Sequence, residues 1–363
     1  MAFFSNKSLI SNMVVCKIPL FPRGYNGLNY MRNELIDPFN RKIEYIRVSV
    51  TDKCNYRCGY CMPEQGVHPD GTHKEYLSYD ELSRIIKAFV DLGVAKVRIT
   101  GGEPLVRKNL ADLVGQISGY EGLEDIALST NAHHLGREAI ALKEAGVNRV
   151  NISIDSLKAQ RFNKITRGGD LEKVLAGVDK ALEVGMNPVK FNMVVMKGTN
   201  DDEIEAMVDY GLEKGVEVRF IETMPIGPAG VAMMDQHYAA DKILARIKAH
   251  VGADLIPAAS KSHDGPARNF KIAGTNTKIG VISAVSQHFC ETCNRVRLTA
   301  KGVLALCLGQ EDSVDLRTPL REGISDDGLK QLIKDALLKK PERHYFNENV
   351  HNIEFRQMVQ LGG

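Results

Sequence analysis

Six of the seven cysteines in this 363-residue chain fall into two triplets. "CNYRCGYC" spaces Cys54, Cys58 and Cys61 as C-x3-C-x2-C, and "HFCETCNRVRLTAKGVLALC" spaces Cys290, Cys293 and Cys307 as C-x2-C-x13-C. Thiolates ligate zinc and iron–sulfur clusters. A tetrahedral zinc site takes four ligands, so the first triplet would need a distant partner and the second would use His288 to make Cys3His. A [4Fe–4S] cluster on three cysteines leaves one iron without a protein ligand, open to a small molecule. Spacing alone leaves both chemistries open. An odd number of cysteines in tight groups, with no secretory signal, reads as metal chemistry in a reducing compartment rather than as disulfides.

Two further sets of residues could do chemistry. "TGGEP" (100–104) puts two glycines, which let backbone approach a ligand closely, beside Glu103, a carboxylate able to accept from an ammonium. Alone it is merely a turn. Basic residues also recur inside apolar runs: Arg47, Arg98, Lys190 and Arg219, with Arg295 and Arg297 alternating on one face of an extended segment. Each by itself reads as a surface cation. Together they would suit a polyanion such as a nucleoside triphosphate, because buried charges without partners cost several kcal/mol. The chain has no G-x4-G-K-[ST] loop, so triphosphate hydrolysis by that route is not indicated.

The elements that must position these groups alternate. Strand-like runs at 44–50, 95–100, 125–130, 149–155, 189–195 and 217–223 are separated by amphipathic runs that close on glycine. "SYDELSRIIKAFVDLG" opens with the capping-box spacing Ser78–Glu81. "REAIALKEAG", "DLEKVLAGVDKALEVG" and "DDEIEAMVDYGLEKG" are the other helix candidates. Six such βα units predict an α/β fold with a parallel sheet in an open, partial (β/α)6 TIM-like barrel, its site at the strand C-terminal ends. After residue 224 the rhythm changes to an α+β extension: a helix at "ADKILARIKAHV", hairpins in "NFKIAGTNTKIGVISAVS" and "RVRLTAKGVLALCLG", and a last helix near 326–340. The expected division is 1–34 as an N-terminal extension, 35–230 as the barrel and 231–363 as the extension, with a soft boundary around "PIGPAG".

Hydrophobic content of 44% and charged content of 25% suit a folded globular chain. A net charge of +2 is too small for a general nucleic-acid binder, and no run of 18 apolar residues predicts a membrane span. Residues 1–33 lack Asp and Glu; they read as a weak targeting segment, an unstructured tail, or a stretch upstream of a start at Met31.

With Tyr60 before its last cysteine, the first triplet at the end of the first strand resembles the radical S-adenosylmethionine superfamily. In that superfamily the open iron chelates the amino and carboxylate groups of S-adenosylmethionine, and one electron cleaves its sulfonium to give a 5′-deoxyadenosyl radical. The resemblance makes Gly102 and Glu103 the methionine-amine site and adds Tyr60, Ser153 and Met224 to the cofactor's cradle. The second triplet, "CNRVRL" after its second cysteine, "SVTDKCNYRCGYCMP" and the terminal "LGG" make residues 35–363 similar to the GTP 3′,8-cyclase family of molybdenum-cofactor biosynthesis.

That resemblance implies two [4Fe–4S] clusters, the second binding the purine of GTP through its own open iron. It implies GTP held by Arg47, Arg98, Ser129, Lys190, Arg219, Arg295 and Arg297, and a supporting role in the pocket for Gly362 and Gly363. The implied reaction removes the ribose 3′ hydrogen and joins that carbon to C8, giving 3′,8-cyclo-7,8-dihydro-GTP in the cytoplasm. An external electron donor and a functional link to the cyclic pyranopterin monophosphate synthase of the same pathway are implied as well; a homodimer is left open. The competing readings are another radical enzyme with an auxiliary cluster, and a non-catalytic metal-binding module. One position departs from the family: "STNA" (129–132) has Ala132 where a Thr-Asn-Gly turn is usual, and a positive φ there would strain it.

Overall fold

A computed structural model describes residues 34–66, 75–259, 265–346 and 357–362. The N-terminal stretch 1–33 and Gly363 therefore lie outside the described residues. Six strands alternate with helices: β1 (Tyr45–Ser49), α1 (Tyr79–Asp91), β2 (Lys96–Thr100), α2 (Leu110–Ser118), β3 (Asp125–Thr130), α3 (Leu135–Ala145), β4 (Arg149–Ser153), α4 (Ala159–Thr166), α5 (Leu171–Glu183), β5 (Val189–Val195), α6 (Ile204–Lys214) and β6 (Glu217–Glu222). The chain continues through α7 (Gly227–Ala232), α8 (Ala240–Val251), β7 (Leu255–Pro257), β8 (Arg268–Ile272), β9 (Lys278–Ile282), β10 (Arg295–Leu298), β11 (Val303–Ala305), β12 (Ser313–Asp315), α9 (Arg317–Arg321), α10 (Asp326–Leu337) and α11 (Met358–Leu361).

Among the described residues twelve strands join one open sheet, ordered β12-β11-β10-β1-β2-β3-β4-β5-β6-β9-β8-β7. β1 to β6 run parallel, as the βα rhythm requires. The extension adds a parallel strand to each edge of this array, β10 beside β1 and β9 beside β6. The two expected hairpins are β8–β9 and β10–β11. Helix α2, missing from the sequence reading, follows β2; its N-cap Asn109 is left-handed and makes no side-chain cap.

Strand residues divide between two faces with period two. On β1 and β2, Ile46, Val48, Val97 and Ile99 are fully buried toward the helices. Helix α1 meets them with Leu82, Ile85, Ile86 and Phe89, one helical face. Its capping box is formed: Glu81 N donates to Ser78 Oγ at 3.1 Å, and Ser78 N donates to Glu81 Oε2 at 2.7 Å. The opposite strand face carries Tyr45, Arg47, Arg98, Asn151, Asn192 and Arg219 into a cavity. A barrel interior is ordinarily filled with Val, Ile and Leu; this one is polar and cationic. Among the described residues no helix is long and apolar enough to cross a membrane.

Candidate functional site

The loop after β1 presents the first triplet. Cys61 N donates to Cys58 O at 2.9 Å, closing a turn, and Tyr56 N donates to Cys54 Sγ at 3.3 Å. This loop lies on the "GG" turn after β2. Gly102 N donates to Thr51 O at 2.7 Å and Glu103 N to Lys53 O at 2.9 Å. A Cβ on Gly101 would stand 2.7 Å from Thr51 O, and one on Gly102 only 2.4 Å from Lys53 O. The glycines thus admit the cysteine loop's own backbone, a use the sequence reading had reserved for a ligand.

Glu103 is almost fully buried and ties two loops together. It accepts from Leu105 N at 3.0 Å, Thr130 Oγ1 at 2.7 Å and Asn131 N at 2.7 Å. Burial pushes its carboxyl up to about 7, against those three hydrogen bonds. A carboxylate has about four acceptor positions, so one remains for a further donor. Tyr60 donates to Asp155 Oδ2 at 2.8 Å, which fixes its ring beside Cys58 and Cys61. Ala132 does adopt φ +60°, the strained conformation. The turn is accommodated because α5 carries Gly177 opposite: a Cβ there would lie 2.6 Å from Ala132 O and 3.3 Å from the Ala132 methyl.

The second triplet sits at the other end of β1. Cys290 and Cys293 precede β10, and Glu44 N, just before β1, donates to Asn294 O at 3.2 Å. Cys307 follows β11, which returns antiparallel to the same end. Five strand residues at about 3.3 Å each place roughly 16 Å between the two ends. All six thiols are free and line one cavity. Among the described residues no group of three or more His, Cys, Asp and Glu is placed to hold a metal ion, so neither triplet is gathered onto a single-ion position. His288 is not gathered with the second triplet either; its Nδ1 stands 3.3 Å from Glu291. Three soft thiols facing one cavity are the donor set that an iron–sulfur cluster with one open iron takes.

Electrostatics sets one thiol apart, because burial raises Cys290 and Cys307 as it raises the first triplet. Burial pushes the Cys54 and Cys61 thiols up to about 12 and Cys58 well above its ordinary value. Burial works the same way on Cys293, but Lys340 and Arg295 outweigh it and bring the thiol to about 7.

Between the triplets lies the basic lining. Register places Arg297, Arg47 and Arg98 side by side on β10, β1 and β2. Burial and mutual repulsion lower Arg47 to about 9 and Arg297 to about 10, and Arg98 reaches about 10 under burial and the charge of Arg47. All remain cationic at neutral pH. Like charges opposite one another destabilise a sheet, so this row is tolerated for a purpose other than folding. Arg219 and Ser129 line the same cavity, as do Gly102, Ser153, Met224 and Arg295. Lys190, beside Asn151 in register and on the strand face of Asn192, is buried and paired with Glu217, which also stands 3.6 Å from Arg219. Ser129 Oγ, both amide atoms of Asn151 and Asn192 Oδ1 are buried without partners.

The C-terminal segment reaches this lining. Arg297 Nη1 donates to Gly362 O at 2.8 Å and to Leu361 O at 3.2 Å. Gly362 has φ +72°, and a Cβ there would lie 2.4 Å from Thr100 Cγ2. Sequence reasoning missed Asn151 and Asn192, whose signal was an amide on the inward face of a strand. It also missed His344, which lines the cavity with both ring nitrogens unpartnered and which nothing in the sequence marked.

Residues 48–211 match the family model of the Radical SAM superfamily, and residues 216–346 match that of Molybdenum Cofactor Synthesis C. Among solved structures the chain is similar to Streptococcus suis SuiB bound to S-adenosylmethionine, with a TM-score of 0.61 at 14% identity over 89% of this chain and 78% of that one. That likeness speaks for the fold. Fold and first triplet together define a radical S-adenosylmethionine enzyme, which implies that cofactor and an iron–sulfur cluster.

The chain is 79% identical over 329 residues to the GTP 3′,8-cyclase of Hydrogenovibrio crunogenus, covering 91% of this chain and 99% of the relative. It is 44% identical over 327 residues to that of Pelotomaculum thermopropionicum, covering 90% and 99%. It belongs to the GTP 3′,8-cyclase family.

Proposed function

We propose that this radical S-adenosylmethionine GTP 3′,8-cyclase, acting at the first step of molybdenum-cofactor biosynthesis, works through two three-cysteine [4Fe–4S] sites at opposite ends of one cationic cavity. Cys54, Cys58 and Cys61 would hold the first cluster, and Cys290, Cys293 and Cys307 the second. Tyr60, Gly102, Glu103, Ser153 and Met224 would cradle S-adenosylmethionine, with the free acceptor position of Glu103 taking its ammonium. When bound, the first cluster and S-adenosylmethionine supply the electron and the hydrogen-abstracting group that act on the ribose 3′ carbon.

The chain's own residues handle GTP. Arg47, Arg98, Arg295 and Arg297 grip the triphosphate, with Arg219 as a further cation; arginine forks match phosphate oxygens. Lys190, already paired, supports Arg219 and Glu217. Ser129, Asn151 and Asn192 offer hydrogen bonds that buried polar atoms otherwise lack. Holding the nucleotide at several points fixes the ribose for reaction and keeps water and other hydrogen donors away. One hydrogen leaves the 3′ carbon, and one electron and one proton return from outside, so the cyclised product is an isomer of GTP. Gly362 sets the tail against Arg297; Gly363 is assigned to the same tail.

The observation that carries this reading is the arginine row lying in register between two cysteine triplets. The test is anaerobic reconstitution followed by incubation with GTP, S-adenosylmethionine and a strong reductant. About eight irons with matching sulfide per chain are expected for two cubanes, with 5′-deoxyadenosine forming only when GTP is present. Two intact clusters without GTP-dependent 5′-deoxyadenosine would refute the assignment, and zinc at the second triplet would remove its second cluster.

A further inference from the structure

Lys340 follows α10 and is buried, with 3% of its surface exposed. Its ammonium donates to Leu306 O at 2.6 Å, Arg295 O at 3.2 Å and Cys293 Sγ at 3.8 Å. An ammonium has three protons to donate, and here each has an acceptor. Two acceptors are neutral carbonyls. Among the described residues no Asp or Glu lies within ion-pair distance of Lys340, although a buried charge needs an opposite one nearby. The sulfur at Cys293 is the acceptor able to carry that charge.

The position is fixed from both sides. Arg41, whose own charge is met by Asp37 at 2.6 Å, donates to Cys290 O at 2.8 Å, Pro341 O at 2.7 Å and Glu342 O at 2.5 Å. One guanidinium thus binds the segment just after Lys340 to the loop of the second triplet. Arg295 also acts on Cys293 through its charge, but the hydrogen bond to the sulfur comes from Lys340; Arg41 is neutralised by Asp37, and Arg297 turns to the tail carbonyls.

We propose that Lys340 is the built-in counter-ion of the metal centre on Cys290, Cys293 and Cys307, balancing thiolate charge at Cys293 and raising that centre's reduction potential. The proposal rests on the reading of this triplet as a ligand set. One-electron reduction adds one negative charge to the centre, and a fixed cation in hydrogen-bond contact with a ligand sulfur stabilises the reduced form more than the oxidised one. Lys340 is therefore a positioning and tuning residue rather than a catalytic one.

The test uses the full chain carrying Cys54→Ala, Cys58→Ala and Cys61→Ala, so that the second centre alone titrates. Iron, sulfide and the midpoint potential are measured by an anaerobic redox titration followed by electron paramagnetic resonance. In Lys340→Met the reduction equilibrium is expected to shift at least tenfold toward the oxidised form, a 59 mV fall for one electron, with iron retained. In Lys340→Arg the potential stays near that of the parent. Loss of iron in Lys340→Met but not in Lys340→Arg also supports the proposal, because the charge is what the two variants differ in. An unchanged potential in Lys340→Met with iron retained overturns it. So does equal loss of iron from both variants, which would make Lys340 a matter of shape. A parent chain that takes up no iron at the second triplet overturns the ligand reading and the counter-ion together, an outcome distinct from either of those.

Discussion

Replacing Gly362 by alanine isolates the contribution of the C-terminal tail. The residue sits at φ +72°, so any side chain there incurs a left-handed backbone cost of about 1–2 kcal/mol. The new Cβ would also meet Thr100 Cγ2 at 2.4 Å, an overpacking cost of about 1–3 kcal/mol. Together these remove at least about 2 kcal/mol, lowering the docking equilibrium of the tail roughly 30-fold. Only residues 357–362 need to move, which frees Arg297 Nη1 from the carbonyls of Leu361 and Gly362. Turnover is expected to fall by up to that factor while iron content is unchanged. Amide exchange over the tail should rise, and exchange in β1 and β2 should not. Adding Thr100→Ser removes the offending methyl but leaves the backbone strain, so it should restore part of the loss. Wild-type turnover together with wild-type amide protection in Gly362→Ala would refute the reasoning, since both penalties come from the docked geometry itself.

Three more outcomes follow from the site. Gly102→Ala forces a Cβ to 2.4 Å from Lys53 O and should displace the first cysteine loop, so iron analysis should show that site emptied and the second one filled. Arg47→Met removes the centre of the arginine row; denaturant unfolding of the metal-free protein should show a gain of about 1–2 kcal/mol, while GTP affinity measured by calorimetry falls at least about tenfold. Burial, with Arg149 and Arg98 nearby, lowers Lys96 to about 7, whereas an unfolded chain keeps it near 10.5. Between those values the unfolded state binds more protons, so this group makes stability rise with pH from about 7 to 10.5. Lys96→Met should flatten that rise and gain roughly 4 kcal/mol at pH 7, because Asp125 keeps Arg149 as a partner at 3.0 Å. Unfolding midpoints from pH 6 to 10 decide it.

The six strands and their parallel order were legible because each is a short β-branched run closed by a glycine-terminated helix, a pattern set by local chemistry. Cys54 to Cys61 were legible for the same reason, their relation being written within eight residues. Helix α2 was not: Gly119 closes it, but it has only nine residues and its N-cap Asn109 makes no side-chain cap. The three-residue strands β7 and β12 exist because a neighbour pairs with them, and no local run announces them. The strain expected at Ala132 is present, but Gly177, which makes room for it, lies 45 positions away in another element. Lys340, Arg41 and His344 belong to the site only through such long-range packing, and the pairing of Lys190 with Glu217 joins two strands in the same way.

The strands β9 and β10 each lie parallel against an outer strand of the six-unit array, on opposite sides. The C-terminal portion therefore clasps the barrel like a strap buckled at two points. Swinging it aside as a hinged cover would tear two ladders of backbone hydrogen bonds. For the same reason, cutting the chain just after β6, near residue 225, to produce the barrel alone would bare both margins, leaving sticky edges that invite self-association.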